Sequence, residues 1–171
     1  MKRALAVAFA LLALPAFAQL DGRNRKFEDP LLDKLAGRWN VIGQVRGTSV
    51  KQTLTGEWIL NRQFFQMKLA DSTYEAWLFL GYDFMSDRYV AHWIDVFGGR
   101  FSETLGYGSR SGDNAIVLVY EYPDRPFRNT LTWNAETASW RWLIESKNDQ
   151  GKWTTFSDYQ LKYATRMTAE R

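Results

Sequence analysis

From Arg38 onward, hydrophobic and polar residues alternate nearly one by one, the period of a β-strand that buries one face. In Gln63 to Leu69, Phe65, Met67 and Leu69 share one face, while Phe64, Gln66 and Lys68 share the other. In Trp140 to Glu145, Trp140, Trp142 and Ile144 oppose Arg141, Leu143 and Glu145. Near the C-terminus, Trp153, Thr155, Ser157, Tyr159 and Leu161 oppose Thr154, Phe156, Asp158 and Gln160. The pattern predicts ten strands: Trp39 to Gly47, Lys51 to Leu60, Gln63 to Leu69, Tyr74 to Tyr82, Tyr89 to Val96, Phe101 to Tyr107, Ala115 to Tyr122, Arg128 to Trp133, Trp140 to Ser146 and Trp153 to Tyr163. Turn residues separate them, with Asn148-Asp149-Gln150-Gly151 the clearest hairpin loop and Ser109 to Asn114 another. Ahead of the strands, Asp29 to Gly37 predicts one short helix: Asp29 caps it, Pro30 suits its first position, and Gly37 suits its stop. No helix is long enough for a crossover, which excludes a parallel α/β sheet. Ten short antiparallel strands hide their edges most simply by closing, so the expected fold is all-β, a single up-and-down β-barrel with a short N-terminal helix.

The N-terminus departs from this pattern. Met1-Lys2-Arg3 is basic, Ala4 to Pro15 is almost wholly apolar, and Ala16-Phe17-Ala18 is a small-x-small cleavage site. The expected layout is a signal peptide over 1–18, a flexible tail over 19–28 and the barrel over 29–171. Export to the periplasm follows from that reading. The apolar run falls short of the roughly 20 residues that span a bilayer. Removing Lys2 and Arg3 leaves 20 basic residues against 19 acidic ones, a net of +1. The basic residues are dispersed among acids, which argues against nucleic-acid binding.

Composition narrows the chemistry. The chain has 171 residues, of which 46% are hydrophobic and 16% aromatic, too many for disorder. It has no cysteine, so disulfides, thiol nucleophiles and thiolate metal sites are excluded, and the core must hold the fold unaided. One histidine excludes a His-rich metal site. No metal and no cofactor is expected.

Leu35-Ala36-Gly37-Arg38-Trp39 resembles the Gly-x-Trp opening of lipocalins and related calycins. Leu80-Gly81-Tyr82-Asp83, Arg88-Tyr89-Val90 and Trp93-Ile94-Asp95, together with Gly151-Lys152-Trp153 and Phe156, resemble the bacterial family catalogued as domain of unknown function 1579. The resemblance spans roughly Leu31 to Tyr163 and implies a calycin-like barrel, often exported, with no established activity. It also implies that Trp39 packs at the closed end. Residues that hold haem in nitrobindin-like barrels find no counterpart around the single histidine.

Few residues suggest chemistry. Tyr89, Ala91, Trp93 and Asp95 share one strand face, and His92 lies on the other. If the first face is inward, Asp95 is an interior carboxylate among aromatics, placed to bond a ligand or to pair with a neighbouring Arg. His92 reads as a haem ligand, a general base or a wall residue. Asp83, Ser86 and Asp87 read as a turn, because they lack the length and ligand count of a calcium loop. Glu75 and Glu103 would serve a glycosidase only if close together and facing inward. Gly98-Gly99 stands between strands and is a turn, not a phosphate cradle. The leading expectation is non-catalytic binding of a small hydrophobic or amphipathic molecule, with Trp77, Tyr82, Tyr89, His92, Trp93 and Asp95 as candidate contacts. The alternatives are a barrel filled by its own side chains that acts through its surface, and an enzyme using Asp95, Tyr82 or His92.

Overall fold

The computed structural model describes residues 26–98 and 104–165, so the expected signal segment, most of the expected tail, and Gly99 and Glu103 lie outside the described residues. One helical turn, α1 (Pro30–Asp33), precedes ten strands. These are β1 (Gly37–Val45), β2 (Thr48–Ile59), β3 (Phe64–Ala70), β4 (Glu75–Asp83), β5 (Arg88–Asp95), β6 (Leu105–Ser111), β7 (Ala115–Glu121), β8 (Pro126–Asn134), β9 (Ser139–Lys147) and β10 (Trp153–Thr165). Each strand pairs antiparallel with the next, and β1 also pairs with β10, from Trp39 opposite Tyr163 to Val45 opposite Ser157. The sheet is thus a closed up-and-down barrel without a free edge, as the alternation predicts.

The apolar face of each strand turns inward. Phe65, Met67 and Leu69 on β3, Leu78 and Leu80 on β4, and Trp140 and Trp142 on β9 are buried in one core. A barrel lying in lipid would carry its apolar band outside. Among the described residues, no helix is long and apolar enough to cross a membrane.

Three local expectations change. Gly37 does not end the helix; the helix closes at Lys34, and Gly37 opens β1 at φ 129°, conformational space that a side chain would resist. β6 runs on to Ser111, so the predicted loop of Ser109 to Asn114 shrinks to its last three residues, while the expected start at Phe101 lies outside the described residues. In β10 the pairing slips between Thr155 and Ser157, a bulge that reverses the alternation. Trp153 therefore faces out beneath Arg128 and Lys147, and Phe156 packs against the core.

One end of the barrel is sealed by the segment that leads into it. The Asp29 carboxylate accepts the amide N–H groups of Leu31 and Leu32 at 2.9 and 3.3 Å, capping α1. The same carboxylate accepts the Tyr89 hydroxyl of β5 and the Arg110 guanidinium of β6, and Arg110 Nε reaches the Tyr89 oxygen at 2.9 Å. So fixed, the segment drives Phe27, Leu31, Leu32 and Leu35 into the barrel end, each at most 4% exposed. Phe27, which the sequence pattern assigns to the tail, is part of this plug and stacks on Tyr82 at 5.6 Å. Trp39 sits beneath it, donating its indole N–H to the Leu35 carbonyl at 2.8 Å and stacking on Tyr163. That places Trp39 at the closed end. Gly56 is required here because a Cβ would lie 2.5 Å from the Leu35 oxygen. The adjoining turn holds Leu60, Asn61 and Arg62 in left-handed conformation, and Phe27 and Asp33 bind it through the Arg62 carbonyl and guanidinium.

Asp29→Ala removes the cap and leaves Arg110 and Tyr89 without their shared acceptor. We expect a loss of about 3 kcal/mol in urea unfolding, with Asp29→Asn losing less because it keeps an acceptor for the helix amides.

Candidate functional site

At the end opposite the plug, several inward-facing side chains are only partly buried. Trp93 and Asp95 lie at the end of β5, Tyr74 precedes β4, Tyr122 follows β7, Phe127 is the second residue of β8, and Phe156 lies on β10. Their rings form a chain around the mouth. Tyr120 stacks parallel to Tyr122 at 5.8 Å, Tyr122 meets Phe127 edge-on at 5.8 Å, and Phe127 meets Phe156 at 5.2 Å. On the other side Trp93 lies 5.5 Å from Trp142, which lies 5.8 Å from Tyr159. Tyr74 sets its ring 5.9 Å from exposed Phe97.

A polar line crosses this apolar wall. The Asp95 carboxylate accepts the Tyr74 hydroxyl at 3.1 Å, the Trp93 indole N–H at 3.2 Å and the Phe97 amide at 3.0 Å. Asp71 accepts the Gln52 amide at 2.9 Å together with the backbone N–H groups of Thr73 and Tyr74. The Thr73 amide first, then Gln52, holds the Asp71 carboxyl down at about 2. Deeper in, Trp142 donates to the buried Asn129 side chain at 3.0 Å.

Three polar atoms of this half are buried without a hydrogen bond: Gln52 Oε1, the Tyr120 hydroxyl and Ser157 Oγ. Their residues are 8%, 1% and 1% exposed. Ser157 lies near enough to Tyr159 to ease that phenol's ionisation slightly, against a stronger upward push from burial, but does not reach bonding geometry. Burial without a partner costs each such group about 1–3 kcal/mol, and native structures keep few of them.

The tyrosines register the same surroundings. Burial first, and the Asp95 charge second, push Tyr122 up to about 12. Burial followed by the Asp95 charge raises Tyr74 far above the ordinary phenol range, and burial does the same to Tyr120.

The six sequence candidates separate into three groups. Trp93 and Asp95 belong to the mouth, with the half-buried Asp95 carboxylate bonded to Tyr74 and Trp93. Among the described residues no Arg pairs with Asp95, while Arg110 of β6 pairs with Asp29. Tyr82 and Tyr89 face inward but at the plugged end, Tyr82 donating to Asp87 at 2.7 Å. Trp77 and His92 face outward and line no interior surface: between them and the core lie Ala76, Leu78 and Ala91, the inward residues of the same strands. Trp77 donates to Glu75 at 2.6 Å and lies 5.1 Å from the Lys68 ammonium. Asp95, Tyr82 and His92 thus sit at the mouth, the plug and the outer wall, and do not converge.

The other motifs resolve in similar terms. Glu75 is outside, paired with Lys68 at 3.1 Å. Asp83 accepts the Met85 amide and the Ser86 hydroxyl at 2.8 and 2.7 Å, which is turn chemistry. Among the described residues no three His, Asp or Glu side chains gather as metal ligands. Sequence reasoning missed Tyr74, Tyr122, Phe127, Phe156, Gln52 and Tyr120. The alternation of β7 does put Tyr120 and Tyr122 on one face, and that signal was available; the position of Phe156 depends on the bulge.

Compared with known proteins, the chain matches no protein-family model and no curated protein.

A tyrosine whose pKa is higher folded than unfolded keeps its proton in the fold, so its contribution is whole below the unfolded value near pH 10 and is lost as pH rises above it. Stability should therefore be level from about pH 7 to 9 and fall from about pH 10 to 12. Tyrosinate absorbance should rise together with unfolding, measured as the urea midpoint against pH.

Proposed function

We propose that the chain is an exported, non-catalytic carrier or sensor that binds a small hydrophobic or amphipathic molecule in the unplugged half of its barrel. The observation that supports this most is the contrast between the two halves. Toward the plug the interior is closed by Phe27, Leu31, Leu32 and Leu35, each at most 4% exposed. Toward the mouth, inward-pointing aromatic side chains stay partly exposed and three buried polar atoms lack partners. Binding sites of small molecules join an apolar wall to a few placed polar groups in this manner. Membership of the calycin-like family named domain of unknown function 1579, cleavage after Ala18 and residence in the periplasm belong to the same reading.

A second reading has its own observation. Outward positions on β3, β4, β5 and β6 bring Phe64, Trp77, Phe79, Ile94, Leu105 and Tyr107 onto adjoining parts of the outer wall, Trp77 opposite Ile94 and Phe79 opposite His92. An apolar outer face of this kind suits a protein-interaction module.

The test is titration of the secreted chain with the neutral apolar fluorophore N-phenyl-1-naphthylamine. We expect saturable binding at one site, weakened about tenfold by Trp93→Ala, a loss of about 1.4 kcal/mol, with a smaller proportional effect on the urea midpoint. Absence of saturable binding, or equal loss of both properties, would favour the surface-acting barrel. The intact mass of the secreted chain checks export: it should begin at Gln19.

A further inference from the structure

The unmet hydrogen-bonding groups at the mouth are one amide oxygen, which only accepts, and two hydroxyls, which accept or donate. A carboxylate offers about four acceptor positions, and Asp95 has three occupied, all by neutral groups. No cationic side chain among the described residues pairs with it. Arg110 is committed to Asp29 at the other end, and Arg128 to Glu145 on the outer wall. Arg46, at the β1–β2 turn, lies over the Phe156 ring at 4.9 Å. Gln52 Oε1, which only accepts, is also unmatched, because the amide nitrogen of the same side chain is taken by Asp71. Asp71 adds a second negative charge at the rim. The Tyr120 and Ser157 hydroxyls complete the set, each able to accept a hydrogen bond or to donate one.

The walls suit the same kind of ligand. Trp93 and Tyr74 flank Asp95 and are held there by their own bonds to it, and Tyr122 comes close enough to sense its charge. Aromatic faces attract cations, more strongly where water is excluded. A carboxylate carrying only neutral donors, set among aromatic side chains, favours positive charge beside it and opposes an anion there.

We infer that the mouth of the barrel takes an organic cation with N–H donors, such as a protonated primary amine on an apolar body. The ammonium group sits against Asp95 between Trp93 and Tyr74, and the apolar body points toward Trp142 and Tyr122. Further donors on the ligand satisfy Gln52 or Tyr120. The inference rests on the binding-barrel reading and adds the charge and bonding character of its ligand.

Three molecules with the same ten-carbon chain separate the two ideas: decylamine, protonated at neutral pH, decanol and decanoate, each titrated into the secreted chain by calorimetry below its aggregation concentration. The expected order is decylamine tightest, decanol about tenfold weaker and decanoate weaker again. Asp95→Asn keeps the shape and an acceptor for the Phe97 amide. It should reduce decylamine affinity about tenfold and leave decanol unchanged, so that the two become equal. If decanol binds and decylamine binds no tighter, the cation inference is wrong and the binding barrel stands. If none of the three binds, the binding reading itself fails. The comparison among ligands uses the unaltered chain, so it decides the matter even if Asp95→Asn folds poorly.

Discussion

One buried carboxylate determines which end of this barrel is closed. Asp29 gathers two helix amides, a tyrosine hydroxyl and a guanidinium onto its two oxygens. A helical turn of four residues has too few internal hydrogen bonds to persist alone; this one is fixed from outside, by side chains of β5 and β6. In return it holds Phe27 and three leucines in place as a stopper. Everything below the stopper is core, in the strict sense that Trp39, Leu54, Phe65, Leu80 and Trp140 leave no surface for anything else.

The two ends therefore carry opposite solutions to one problem, the placement of polar groups inside an apolar enclosure. At the plug each such group is answered: Trp39 by the Leu35 carbonyl, Trp58 by Asp33, Tyr89 by Asp29. At the mouth the answers are incomplete: Gln52 Oε1 lacks a donor, and the Tyr120 and Ser157 hydroxyls lack a partner of either kind. A chain that satisfies its polar atoms so fully at one end, and leaves them short at the other, shows a local departure from the usual rule, and such departures concentrate where proteins bind other molecules.

Much of the architecture was legible in the sequence because a strand's period of two is a direct imprint of its two environments. Phe65-Met67-Leu69 and Trp140-Trp142-Ile144 state their inward faces without ambiguity. Asp29 and Pro30 announce the helix start through side-chain chemistry confined to the next three residues. Legibility ended where a feature depends on residues distant in sequence. The bulge that sends Trp153 out and Phe156 in is visible only against the register of β9. Tyr74 reads as the first residue of a strand, and only the β4–β5 register, with Ala76 opposite Asp95, brings its hydroxyl to Asp95, 21 residues away. His92 and Trp77 attract notice as residue types, yet both occupy outward positions. Partnering of Asp29 with Arg110, 81 residues apart, had no local signal at all.

The seam between the first strand and the last has a kinetic meaning. β1 is complete by Val45, but the partner that covers its second edge does not begin until Trp153 and runs to Thr165. Until then one row of backbone donors and acceptors stays open along β1, and another along whichever strand was made most recently. Contacts so far apart along the chain are slow to form, and open strand edges invite pairing with other chains. A ribosome or a membrane pore delivering this protein N-terminus first releases a curled sheet, not a barrel. The enclosed interior, and any molecule it holds, can exist only after the final strand has arrived.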